Sequence, residues 1–226
     1  VDSITTDSRE AKPGCLFVPI VGERVDGHRF IGDVMEKGAL ATLSERELEG
    51  ASFPYIQVKS SLQAVKDIAK FYLEPLQIPV VGITGSVGKT STKEMIASVL
   101  KEKFNTLTTQ GNFNNELGRP LTVCRLRDCH EIAVLEMGIS DFGEMSRLAD
   151  IARPSTCVIT NIGQCHLEFL GDRDGVLRAK TEIFNYLREG GRAVLNGDDD
   201  KLATIHEVQG RPPVFFGLNP EYPVYA

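Results

Sequence analysis

No apolar run in the 226-residue sequence approaches the ~18 to 20 residues that a membrane-spanning helix needs, and Val1 to Arg9 is polar without a hydrophobic signal core. Membrane insertion is therefore not expected, and a cytoplasmic location is. A basic excess is also lacking: 31 acidic against 25 basic side chains leave a net charge of -6 with the signs interspersed, which argues against nucleic acid as a partner. Cysteine is sparse and unpaired. Cys15, Cys124, Cys129, Cys157 and Cys165 are odd in number and show neither CxxC spacing nor a matching histidine set, so they read as buried thiols rather than a disulfide framework or zinc site. Internal repeats and low-complexity tracts are missing as well. What remains is ordinary globular composition, 42% hydrophobic and 25% charged, at a length that suits one large or two modest domains.

Strand-length apolar runs alternate with helix-period stretches, which predicts an α/β class with helices packed on a largely parallel sheet. Leu16 to Ile20 and Tyr55 to Val58 read as strands, and Leu62, Val65, Ile68, Ala69 and Tyr72 recur at helical spacing behind a capping Ser60 or Ser61. Pro75 and Pro79 then break the pattern, placing a domain boundary so that a small α/β unit spans 1–76 and a second unit, with helices on both faces of its sheet, spans 77–226. In that second unit Val80 to Thr84, Ile132 to Leu135, Cys157 to Thr160 and Arg192 to Leu195 are predicted strands. Helices are predicted over Thr90 to Phe104, near Gly143 to Ile151, and from about Gly175 to Leu187, with a long polar loop at Gln110 to Pro120.

Gly82, Ile83, Thr84, Gly85, Ser86, Val87, Gly88, Lys89, Thr90 lies between a predicted strand and a predicted helix, the context a phosphate cradle requires. Glycines let backbone N–H groups converge on an anion, and the helix N-terminus adds positive partial charge. Lys89 can reach the outer phosphates, and the Thr90 hydroxyl can hold Mg²⁺. Ile83 stands where the standard pattern has glycine, so the loop is a variant. It predicts a bound nucleoside triphosphate without choosing the reaction.

Glu136 ends a predicted strand, at the carboxyl edge where a parallel sheet opens its ligand crevice, and a carboxylate there suits a Mg²⁺ shared with Thr90. A solvated turn residue is the alternative. His166 follows the strand Cys157 to Thr160 and the turn Asn161, Ile162, Gly163. Lys180 sits beside the apolar positions Val176, Leu177, Ala179, Ile183 and Phe184 of a helix, where a lysine snorkelling from the core is the plainer explanation.

These residues carry a family resemblance. Thr6 to Arg9, Gly22 to His28 with Phe30 and Ile31, Gly85 to Thr92, Gly111 to Gly118 with Pro120, Glu136 to Gly138, and the downstream Asn161, Gly163, His166, Gly171, Ala179, Lys180 and Glu182 make the sequence similar to the Mur ligases. That family comprises ATP-dependent amide ligases of peptidoglycan synthesis. The resemblance implies that ATP phosphorylates a substrate carboxylate and that an amine then attacks the acyl phosphate. It implies Gly85, Ser86, Val87, Gly88, Lys89, Thr90 and Ser91 around the phosphates. Thr90 and Glu136 would hold one Mg²⁺, and His166 with a carbamylated Lys180 would serve a second. Asn115 would lie near the phosphates, with Asn114 equally reachable, and Asn196 near the adenine, with an Asx-rich turn as its competitor. Thr6, Ser8, Glu23, Arg24 and Val25 fall where related ligases hold the uridine nucleotide, although Arg24 in a plain surface turn competes.

Within that resemblance, the loop Asn112 to Gly118 points to a UDP-linked muramoyl tripeptide and D-alanyl-D-alanine as the partners to be joined, and the protein is expected to be a monomer. Another family member with a different amine, or a nucleotide-binding module without ligase activity, stands as the alternative. The family is three-domain, so a missing last domain is expected to leave this chain alone with little ligase activity.

Overall fold

The computed structural model describes residues 1–22, 25–109 and 118–225. In the first part of the chain four short strands, β1 (Ser3–Thr5), β2 (Cys15–Phe17), β3 (Ala41–Ser44) and β4 (Tyr55–Gln57), pair in parallel in the order β1-β2-β3-β4. Helix α1 (Ile31–Glu36) packs Ile31 and Val34 onto Cys15 and Phe17, while Leu16, Val18 and Leu43 face the opposite side. Successive residues of β2 thus supply two separate cores, as the period of a strand requires.

Helix α2 (Ser61–Leu73) begins where sequence reasoning places its cap: the Ser60 hydroxyl accepts from Gln63 N at 3.2 Å. Its buried stripe is divided. Val65 joins the core of the first sheet, whereas Ala69 and Leu73 join that of the second.

Among the described residues, the second sheet has seven strands: β5 (Val80–Thr84), β6 (Thr106–Thr108), β7 (Ile132–Glu136), β8 (Thr156–Ile159), β9 (Arg192–Asn196), β10 (Val214–Gly217) and β11 (Val224–Tyr225). All pair in parallel, in the order β11-β10-β9-β8-β5-β7-β6. Ala133, Leu135, Cys157 and Ile159 face one core with Met145 and Leu148 of α5 (Glu144–Ala152) and Val176 and Ala179 of α7 (Arg173–Thr181). Ile83, Val134 and Val158 face the other, with Ala97 of α3 (Lys89–Lys101). Apolar residues on both faces explain why these strands read as continuous hydrophobic runs rather than alternating ones.

The chain passes from β5 through α3 to β6, which lies beyond β7, and later returns to the other side of β5 through β8. The reversal puts the β5–α3 loop at a topological switch point, where the crevice of an open α/β sheet lies.

Several local expectations need correction. The stretch assigned to loop up to Pro120 is helical from Gly118, as α4 (Gly118–Val123), because Thr122 Oγ1 donates to Gly118 O and Cys124 N to Pro120 O. The helix expected to reach Leu187 instead ends at Thr181 and tightens into a 3₁₀ turn, Glu182–Tyr186. Of the cysteines, Cys15 and Cys157 are buried, Cys124 and Cys165 half-buried, and Cys129 is exposed. Among the described residues, no helix is long and apolar enough to cross a membrane.

Candidate phosphate and carboxylate site

The β5–α3 loop turns sharply because two glycines allow it. Gly88 caps α3 with φ 79°, a left-handed conformation that disfavours any side chain. Gly85 lies so close to Thr160 that a Cβ would sit 1.9 Å from Thr160 Oγ1, and its φ of 150° is one that residues with side chains rarely adopt. Lys89 folds over the loop, donating to Gly85 O at 2.9 Å and Ser86 O at 3.2 Å. Ser86 is half-buried, whereas Val87 and Ser91 are exposed.

In the first turn of α3, Thr90 Oγ1 donates to Glu136 Oε2 at 2.9 Å, which joins the loop to the end of β7. Glu136 is only 2% exposed, so the reading of it as a solvated turn residue fails. Its backbone N–H donates to Thr109 Oγ1 at 3.1 Å. Beneath it lies a residue that sequence reasoning missed. Lys93, 1% exposed, donates to Thr109 O at 2.8 Å, pairs with Glu94 at 2.9 Å, and holds its ammonium 4.0 Å from Glu136 Oε2. A buried carboxylate needs such a countercharge. The signal was available: Lys93 stands on the buried stripe of α3, four residues before Ala97 and four after Lys89.

His166 occupies the N-cap of the short helix α6 (Leu167–Leu170) with φ 53°, and its carbonyl accepts from Phe169 N and Leu170 N. Lys180 on α7 is 1% exposed, which rules out snorkelling. Burial pushes its amine down to about 8, opposed by neighbouring Cys165 and assisted by the charge of Lys89. Lysine, histidine and loop converge: Gly85, Ser86, Lys89, His166 and Lys180 line one cavity of about 580 Å³, to which Ile20 and Leu62 of the first part of the chain also contribute.

Thr90 and Glu136 present hard oxygen donors on neighbouring elements, which fits Mg²⁺ with phosphate and water completing its shell. His166 and Lys180 fit a cation only if the lysine carries an added carboxylate, since an ammonium repels one. Among the described residues, no group of three or more His, Cys, Asp and Glu is placed to hold a metal alone.

The remaining expected residues are dispersed. Asn196 lies at the same carboxyl edge on β9, donating from Nδ2 to Thr160 O and accepting from Asp198 N, both at 3.0 Å. It opens onto a separate depression of about 330 Å³ with Phe216 and Tyr225. Thr6 and Ser8 are half-buried beside β1 and Val25 is exposed; none of the three lines the larger cavity. Glu23, Arg24 and Asn115 lie outside the described residues. His28 is structural: it bonds Asp26 through Nδ1 at 2.6 Å and accepts from Glu45 N through Nε2 at 2.9 Å, a pattern that assigns the proton to Nδ1.

Comparison with known proteins supplies the frame for this geometry. Residues 83–225 match the Mur ligase middle domain and residues 1–73 the Mur ligase family catalytic domain. The chain is 42% identical over 211 residues to the UDP-N-acetylmuramoyl-tripeptide–D-alanyl-D-alanine ligase of Bacillus subtilis (strain 168), covering 92% of this chain and 46% of that protein. Its identity to the enzyme of the same name from Escherichia coli (strain K12) is 39%, covering 95% and 47%. A crystal structure of MurF from Acinetobacter baumannii superposes with a TM-score of 0.92 at 36% identity, over 99% of this chain and 49% of that one. The MurF ligase of Thermotoga maritima, solved in complex with ADP, superposes at 0.87 with 37% identity, over 96% and 50%. The chain thus spans about half the length of the relatives it matches. With both family models matching in chain order and the phosphate loop at the start of the second, the chain belongs to the Mur ligase family.

Proposed function

We propose that this chain supplies the ATP site and the carboxylate-substrate site of a cytoplasmic, monomeric ligase that joins D-alanyl-D-alanine to UDP-N-acetylmuramoyl-tripeptide in peptidoglycan synthesis. The observation that carries this reading is the convergence of Lys89, His166 and Lys180 on one cavity at the sheet's switch point, with Thr90 and Glu136 adjoining. In this reading, residues 1–76 hold the uridine nucleotide through Thr6, Ser8, Glu23, Arg24 and Val25, and residues 77–226 hold ATP, with Asn115 near the phosphates and Asn196 near the adenine.

The substrate carboxylate attacks the γ-phosphorus, ADP leaves, and an acyl phosphate forms. The amine nitrogen then attacks the acyl carbon, phosphate leaves with the bonding electrons, and the nitrogen gives up its proton. Two anions must approach before the first step, so the cavity needs positive charge. The loop amides and Lys89 neutralise the phosphates. Thr90 and Glu136 would hold one Mg²⁺ and His166 with Lys180 a second, and bound Mg²⁺ supplies further charge neutralisation. Lys180 takes up CO₂ as its neutral amine, and a basicity lowered to about 8 leaves a useful fraction of that form near neutral pH. The carbamate converts a cation into an oxygen ligand.

Phosphate release by the full-length ligase containing this sequence, with carboxylate and amine omitted in turn, provides the test. A ligase needs the carboxylate and makes product only with its amine, whereas an ATPase module hydrolyses ATP without either. Lys180→Ala is expected to abolish turnover, with partial recovery on adding short carboxylates. Full activity of that variant would remove the carbamate role.

A further inference from the structure

The phosphate loop does not hold its curvature alone. Ser86 N and Val87 N both donate to Asn161 Oδ1, at 3.1 and 3.0 Å, while Asn161 Nδ2 donates to Val87 O at 3.1 Å. Its neighbours extend the pattern: Thr160 Oγ1 donates to Val87 O at 2.7 Å, and Gly163 N donates to Ser86 Oγ at 2.8 Å. These groups lie more than 70 residues further along the chain. They follow β8 directly, and β8 pairs with β5 up to Thr84, so loop and brace rise from adjacent strands. One side-chain amide matches the loop in both senses, accepting two N–H groups and donating to a carbonyl. No charged or apolar side chain of that size can do both.

Building on the phosphate site proposed above, we propose that Asn161 is a positioning residue for the polyphosphate. Its amide sets the bend of the loop so that the remaining amides and Lys89 converge on the phosphates. The opposite role, a latch occupying amides that a phosphate would take, does not account for the bonds to Val87 O. A phosphate oxygen has no counterpart to them, since Val87 O is an acceptor that an anion cannot satisfy.

Calorimetric titration of this chain with MgADP, and separately with inorganic tripolyphosphate, tests the assignment against Asn161→Ala and Asn161→Asp at low and high salt. Each lost hydrogen bond at about 1 kcal/mol corresponds to roughly 5-fold; Ser86 N keeps the Asn161 backbone carbonyl as an acceptor, so with two to three bonds lost Asn161→Ala is expected to weaken both probes by about 25- to 125-fold. Asn161→Asp keeps the shape and still accepts both N–H groups, but places a negative charge against the phosphates. Its loss should be larger at low salt and shrink at high salt, which a purely structural defect would not show. Thermal midpoints establish that each variant is folded, and if the alanine variant is not, the aspartate variant decides. Unchanged affinity in the folded variants, or tighter binding by Asn161→Ala, overturns the inference while leaving the phosphate site standing. A wild-type chain that binds neither probe instead removes the phosphate site and the inference with it.

Discussion

Lys180 shows most directly how the site taxes the fold. Its amine is held at about 8 against an ordinary 10.5, chiefly by burial, so the folded state disfavours the charged form. The unfolded chain binds more protons between those values, and stability therefore rises with pH across that window. The cost is fully present below pH 8 and fades as pH approaches 10.5. A shift of that size corresponds to about 3 kcal/mol. In CO₂-free buffer, Lys180→Met is expected to stabilise the chain by up to about 3 kcal/mol at pH 7, and by progressively less above pH 8. Urea unfolding at several pH values measures this, and a variant less stable than wild type at pH 7 would refute it. Such a gain on removing a site residue is the usual mark of stability given up for function. Lys93 differs: its ammonium has the Thr109 carbonyl and two carboxylates around it, so its burial is compensated.

Among the elements, α5 is the one whose placement depends most visibly on a distant side chain. Its N-cap is Gly143, which offers no side chain to its first turn. Glu182, from the 3₁₀ turn after α7, accepts from Gly143 N at 2.9 Å, Ser146 N at 3.0 Å and Ser146 Oγ at 2.9 Å. The carboxylate therefore caps the helix from another element and meets its positive end. It also places α5, whose Glu144 and Leu148 line the cavity, relative to the helix that carries Lys180. Glu182→Ala should cost about 1 to 2 kcal/mol, with Glu182→Gln losing less because one amide oxygen still accepts. Chemical denaturation would register the difference, and equal stability of all three proteins would show that the cap is dispensable.

For the molecule as a whole, α2 is the tie between the two sheets. Val65 packs with the first core, and Ala69 and Leu73 with the second. Tyr72 Oη donates to Leu126 O at 2.9 Å, and Lys70 pairs with Asp150 at 2.7 Å. The helix that closes the first part of the chain is thus held by contacts with the second. Leu73→Ala, which empties a buried position, is expected to lower stability by about 2 to 5 kcal/mol. Amide exchange at β2 and at β7 should then accelerate together, whereas a change confined to β7 would show two independently stable units.

Much of this could be read without coordinates because it is local chemistry. A strand, a glycine turn, Lys89 and an amphipathic helix succeed one another within about twenty residues, and nearest-neighbour preferences suffice to recognise them; Val80 to Thr84 and the Ser60 cap are found where expected. The strands that escaped, β1, β3, β6, β10 and β11, have two to four residues each and lack the longer apolar runs that marked the equally short β2 and β4, and α1, α4 and α6 are similarly brief. Strand order, the bracing of the loop by Asn161, the countercharge of Lys93 and the cap from Glu182 are of another kind. Each joins residues brought together by crossovers rather than by succession in the chain, and spacing along a polymer carries no information about which distant group will fill a turn's hydrogen bonds until packing has chosen the neighbours.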